Sequence, residues 1–377
     1  MDGDRTYQIM DDSKLALLAL IRTALWGEEP EFDRKPNWPE VLRYAKEQTV
    51  PGLIADAVPS LPEEMRPSAQ ESMALYSIAI QIAQSHSLLN KKVVEIQSFL
   101  ASHNIPSALF KGQGLASNYP KPTTRQCGDI DMYVGEKNFL KAMDLLEPGV
   151  EHDVTKYRHM KHFNMESDGV SIELHRIAEI LPGFRSDRLF QEWTIESLES
   201  SKLYEVEIDG HKVTVPPADF NAPYIMNHAW HHFINGGIGL RQICDWSIYL
   251  HRFHHDIDKD ELKRNLKRFR LENAWQTLGS IAVRYIGLPE NECPLYDGSC
   301  DGRAEMVIEI IFSEGNFGKH SKSKTARPKG HFAGKFHSFR KSTSRTLRIL
   351  PIAPFYVVYS WIFYFIKGMK NLFVRIK

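Results

Sequence analysis

The hydrophobic pattern of the chain changes period twice. Over 13–26 the run S-K-L-A-L-L-A-L-I-R-T-A-L-W places apolar residues at helical spacing, with Ser13 as its cap. A second helix follows Pro36, over 38–48, with Val41, Leu42 and Ala45 on one face. Pro59, Pro62 and Pro67 mark a loop, and 69–103 then reads as one long helix, a spine for the N-terminal helices. Asn104-Ile-Pro ends it. From there to 215 the runs become short and apolar or alternating. Strands are expected over 107–110 and around 129–134. Hairpins are expected over 162–167/170–175 and 203–208/211–215, each closed by Asp-Gly. A helical turn over 115–118 and an amphipathic helix over 136–147 connect them. Pro216-Pro217 closes this part, and helical spacing returns over 220–233, 240–253, 260–269, 273–286 and 303–312. The expectation is an α+β fold: a small mixed sheet with helical N-terminal and C-terminal regions. Its organisation reads as 1–103 helical, 104–217 α/β, 218–314 helical, and 315–377 a basic connector with an apolar C-terminal helix.

The 377 residues carry 47 Lys and Arg against 47 Asp and Glu, but unevenly. From Asn316 onward there are 14 basic residues and no acidic one, so the preceding chain holds 33 basic and 47 acidic residues. A basic tail on an acidic body suits contact with an anionic membrane or another polyanion. The apolar run 349–366 is broken by Pro351 and Pro354, and what remains is short for a span. Its Trp, Tyr and flanking Lys and Arg fit either an interfacial helix or a helix packed on the body. Four irregularly spaced cysteines and an N-terminus without a basic and apolar leader point to a reducing cytoplasm, a peripheral membrane location being the alternative.

The candidate chemistry sits in L-F-K-G-Q-G-L-A-S-N-Y-P-K-P-T-T-R-Q-C-G-D-I-D-M-Y-V, residues 109–134. Asp129 and Asp131, two apart on a strand, share a face, while Ile130, Met132 and Val134 take the other. Two adjacent carboxylates repel, and a hard divalent cation such as Mg²⁺ removes the conflict. The other reading is a surface strand with solvated aspartates, although strands disfavour Asp. Glu173 lies on the polar face of its hairpin strand and is a third carboxylate for the same metal. His175 shares that face, as a supporting group or a plain hydrogen-bonded histidine. Upstream, Gly112 and Gly114 let a backbone approach phosphates, and Lys111 adds a point charge. Arg125, four residues before Asp129, suits a triphosphate or one of the acids, or is a surface arginine. His228 and His232 are four apart, but no Cys set or H-E-x-x-H completes a zinc site. Arg241 and Asp245, also four apart, suit an intrahelical pair or a contact to substrate.

Several segments together resemble the uncharacterised nucleotidyltransferase family, a bacterial branch of the DNA polymerase β-like nucleotidyltransferase superfamily. They are Trp38 with A-K-E-Q-T-V-P-G-L-I, I-P-S-A-L-F-K-G-Q-G-L-A, R-Q-C-G-D-I-D-M-Y-V, I-E-L-H, H-A-W-H-H-F and L-R-Q-I-C-D-W. The resemblance covers about residues 13–255. It implies a small mixed sheet flanked by helices and Mg²⁺-dependent transfer of a nucleoside monophosphate from an NTP to an acceptor hydroxyl, with two ions. By position, Asp129 and Asp131 match the paired metal ligands and Glu173 the third carboxylate. Gly112 and Gly114 match the phosphate loop, where Lys111-Gly112 replaces the usual Gly-Ser. The acceptor is open: a small molecule, a peptide or protein, or an RNA end. Other classes also remain open: a non-catalytic nucleotide-binding or regulatory protein on this fold, and a membrane-peripheral protein held by its tail.

Overall fold

Two Asp-Gly turns set the frame of the β-structure. Asp168 and Gly169, and likewise Asp209 and Gly210, all have positive φ (51°, 75°, 49° and 78°). That is the backbone a two-residue hairpin requires. In the computed structural model, which describes residues 10–150, 157, 159–200, 203–316, 345–359 and 362, the first turn joins β3 (His162–Ser167) to β4 (Val170–His175). The second joins β5 (Tyr204–Ile208) to β6 (His211–Val215). β1 (Ala108–Phe110) and β2 (Asp129–Tyr133) complete a four-stranded sheet of order β1-β2-β4-β3. β1 runs antiparallel to β2, β2 parallel to β4, and β3 antiparallel to β4, so the sheet is mixed. With helices on both sides the fold is α+β.

The helices are α1 (Asp12–Trp26), α2 (Trp38–Glu47), α3 (Pro51–Ala57), α4 (Ala69–Ser102), α5 (Gly112–Ala116), α6 (Gly135–Leu146), α7 (Phe184–Ile195), α8 (Ala218–Asn235), α9 (Leu240–Phe253), α10 (Lys259–Phe269), α11 (Glu272–Ile281) and α12 (Asp301–Glu314). Asp11, not Ser13, caps α1, accepting from the Lys14 N–H. α4 starts at a Ser68–Glu71 capping box. α5 starts at Gly112, three residues before the expected turn. α3 and α7 were not anticipated from the pattern; α3 is largely buried, so little amphipathic contrast marks it.

The sheet's apolar face carries Ile130, Met132, Ile172 and Leu174, which pack with Val93, Ile96 and Leu100 of α4 and with Phe139 and Met143 of α6. α1–α3 and α8–α12 share a larger core around Trp38, Trp246 and Trp275. Leu75 of α4 belongs to that core, so α4 serves both. β6 hangs on α4: the Thr214 N–H donates to Gln97 Oε1 (2.7 Å) and Gln97 Nε2 donates to the Thr214 carbonyl (3.1 Å). Gly52 of α3 lies so close to the Thr124 backbone that a Cβ would collide with it. The N-terminal helices thereby pin the connector leading to β2.

All four cysteines are free. Ile349, Ile352, Tyr356 and Val357 enter the large core, so the described part of the apolar run packs on the body. Arg345 holds it there, donating to Glu314 (2.9 Å) and to the Phe233 and Ile234 carbonyls. Among the described residues no helix is long and apolar enough to cross a membrane. The basic connector 317–344 and the chain after 362 lie outside the described residues.

Candidate active site

The polar face of the sheet brings three carboxylates together. Asp131 of β2 pairs in register with Glu173 of β4, and Asp129 lies two residues earlier on the same strand face. Asp131 is buried, Glu173 half-buried and Asp129 the most exposed of the three, though still lined by the surrounding chain. β4 also delivers His175, fully buried, whose Nε2 is 2.8 Å from Asp131 Oδ1 and 3.4 Å from Glu173 Oε2. On edge strand β3, His162 sits opposite His175, with its Nδ1 3.5 Å from Glu173 Oε2.

Lys111 completes the centre. It follows β1 with φ 46° and ψ −135°, and Gly112 follows at φ 42°. A lysine held at positive φ costs of order 1–3 kcal/mol, and surrounding contacts must hold it there. The main one is an ion pair from Lys111 Nζ to Asp131 Oδ1 at 2.8 Å. The same ammonium lies 3.3 Å from His228 Nε2 on α8. His228 Nδ1 is 3.5 Å from buried Glu179, which Lys161 holds at 2.9 Å. A chain of polar contacts thus runs from the sheet into α8.

The electrostatics follow from crowding. Burial opposes the Asp131 charge, but Lys111 and His175 overcome it and hold the carboxyl well below its usual range. Burial likewise opposes the Lys111 ammonium, and Asp131, Asp129 and Glu173 outweigh it and raise its pKa. Asp129 goes the other way. Desolvation by the surrounding chain and the charge of Asp131 push its pKa up. The three acids therefore carry more negative charge than Lys111 neutralises, the condition in which a divalent cation is stabilising.

Arg125 is placed elsewhere. Its guanidinium is buried and bidentate to Asp245 of α9, Nε–Oδ1 2.6 Å and Nη2–Oδ2 2.8 Å. Tyr119 donates to the same carboxylate at 2.7 Å. Asp245 therefore pairs with Arg125 rather than with Arg241. Arg241 instead donates to the Gln126 carbonyl (2.6 Å), close enough to Asp129 to oppose the rise in its pKa. Gly114 packs against Val215 and Leu109 and is buried under the second hairpin. Gly112 faces the Asp129 carbonyl, 3.4 Å from where a Cβ would stand. His228 and His232 stack edge to face at 4.4 Å.

Residues 34–287 match the profile of the uncharacterised nucleotidyltransferase family. The chain belongs to that family. The matched segment contains every residue of the site described above and ends before the basic tail. No curated protein matches. Among solved structures, an antigenic nucleotidyltransferase-like protein from Paracoccidioides brasiliensis is similar at 16% identity over 51% of this chain and 91% of that one, with a TM-score of 0.27.

His162 and Glu179 are members of the site region that the sequence pattern did not single out, and Arg241 is one it assigned to another partner. His162 carried a signal: the Asp168-Gly169 turn fixes the hairpin register and so its position opposite His175.

Proposed function

We propose that this family member is a Mg²⁺-dependent nucleotidyltransferase that moves a nucleoside monophosphate from an NTP to an acceptor hydroxyl. The observation that carries the reading is the registered pairing of Asp131 with Glu173, with Asp129 on the same face and Lys111 beside them. The donor set is all hard oxygen and under-neutralised, which fits Mg²⁺, held by Asp129, Asp131 and Glu173. When bound, two such ions neutralise the reacting phosphates and lower the pKa of the acceptor hydroxyl. The chain itself supplies position and charge. The Lys111-Gly112 bend turns the backbone toward the acids, and the Lys111 ammonium offers a fixed cation to phosphate oxygens. The acceptor oxygen bonds to the α-phosphorus, the bridge to the β-phosphate breaks, and the hydroxyl proton passes to the carboxylate set as pyrophosphate leaves. Holding the reactants in line and balancing their charge accounts for most of such a rate gain.

A second reading, a nucleotide-binding protein without turnover, is favoured by one contact: Lys111 already holds Asp131 Oδ1 as a metal would. Incubating the full chain with each of the four NTPs and Mg²⁺ separates the two. Pyrophosphate release with a labelled acceptor is expected; Mg²⁺-dependent thermal stabilisation by an NTP without release supports the second. An Asp129→Asn/Asp131→Asn variant that keeps full metal-dependent nucleotide binding sinks both.

A further inference from the structure

A nitrogen-rich corner borders the carboxylate face. His162, Glu173 and His175 each present one ligand atom, and these atoms lie within 4.8 Å of one another. His175 Nε2 is 3.4 Å and His162 Nδ1 3.5 Å from the same oxygen, Glu173 Oε2. Ligands held about 2.0–2.1 Å from a tetrahedral ion stand about 3.3 Å apart, so both separations already match shared coordination. The cross-strand register fixes the set: His162 opposes His175, and Glu173 is two residues along the same face.

Two features argue against a simple hydrogen-bond cluster. His162 Nδ1, the nitrogen that faces Glu173, is buried and has no hydrogen-bond partner. An imidazole nitrogen buried without a partner is costly, and a ligand satisfies it. Moreover, among the described residues the only ion-pair partners of Glu173 are these two imidazoles; Lys111 sits on Asp131 instead. Among the described residues the half-buried Glu173 carboxylate thus has two imidazole nitrogens, and no ammonium or guanidinium, within ion-pair distance.

We propose that His162, Glu173 and His175 form a site for a first-row transition ion of borderline softness, Zn²⁺ or Co²⁺, distinct in preference from the oxygen-only set of Asp129 and Asp131. Imidazole suits such ions, and Mg²⁺ selects against it. Asp131 Oδ1, 2.8 Å from His175 Nε2, stands close enough to join as a fourth ligand. The site shares Glu173 with the proposed transfer reaction but needs no nucleotide.

The test is a nucleotide-free titration of the full chain with Zn²⁺, Co²⁺, Mn²⁺ and Mg²⁺, followed by calorimetry and, for Co²⁺, visible absorption. Zn²⁺ and Co²⁺ are expected to bind at least about 100-fold more tightly than Mg²⁺, with Co²⁺ giving the intense bands of a nitrogen-ligated, low-coordinate ion. His162→Gln, at a partly exposed edge position, is expected to weaken Co²⁺ at least about 10-fold and leave Mg²⁺ affinity unchanged. Asp129→Asn is expected to leave the Co²⁺ bands in place. Mg²⁺ binding as tightly as Co²⁺ in the wild-type chain overturns the proposal without any variant. So does a Co²⁺ affinity indifferent to His162→Gln. Failure of nucleotidyl transfer with the Co²⁺ site intact counts against the transfer reaction alone, and transfer with no histidine-dependent Co²⁺ site counts against this site alone.

Discussion

Lys111 reaches Asp131 from a backbone that lysine rarely adopts: φ is 46° while Nζ lies 2.8 Å from Oδ1. The side chain on β1's exit loop and the carboxylate on β2 are each other's main electrostatic partners. The strain in one is thereby tied to the charge of the other.

That dependence is measurable as a coupling. Removing either partner takes the main compensation from a largely buried charge, so Lys111→Met and Asp131→Asn are each expected to cost about 2–4 kcal/mol in urea unfolding. The double variant should recover part of the loss, giving a coupling above about 1 kcal/mol. Costs that simply add, within about 0.5 kcal/mol, show that the ion pair contributes no stability.

Arg125 is expected to behave as scaffold. Its bidentate contact to Asp245 is buried on both sides. Arg125→Met and Asp245→Asn should each lower stability by about 3–5 kcal/mol. Nucleotide affinity per folded molecule should stay within about twofold of wild type at a temperature where the variant is folded. A drop of tenfold or more in nucleotide affinity, with an unchanged unfolding midpoint, returns Arg125 to the substrate.

Acid sensitivity should come in two phases. Burial, then the charge of Lys111, push the His232 pKa down from 6.5 to about 4, and burial lowers His228 well below its usual value. Between those values and pH 6.5 the unfolded chain holds more protons, so stability is present above about 6.5 and falls as pH falls. For His232 the window corresponds to about 3 kcal/mol. The depressed carboxyls of Asp131 and Glu179 are lost only lower, as pH drops through the ordinary carboxylate range and below it. Urea midpoints taken at pH 7, 5.5 and 4.5 should fall steadily, and His232→Gln should flatten the decline. Identical slopes in both proteins contradict a neutral, half-buried His232.

The legible parts of this chain were those governed by local rules. An alternating strand and an Asp-Gly turn are enough to put Glu173 and His175 on the polar face of their hairpin, while the parallel pairing that sets that face beside Asp131 is long-range. Counting outward from Ser167↔Val170 even puts His162 opposite His175. The carboxylates, the capped 34-residue α4 and both hairpins follow from such spacing. What spacing does not encode is which distant side chain arrives. Arg125 and Asp245 are 120 residues apart, and nothing local distinguishes Arg241 from Arg125 as the partner of that carboxylate. The Lys111 bend was equally hidden, because no local turn signal demands positive φ at that lysine and its contacts to Asp131 and His228 come from distant elements. α3 escaped because burial on nearly all sides erases the amphipathic stripe.

α4 gives Leu75 to the helical core and Val93, Ile96 and Leu100 to the sheet. A wall shared in this way denies either half a separate melting transition. Opening the sheet exposes the helix that the other core rests on, so the site's strands share the global unfolding free energy of the body rather than that of a detachable lobe.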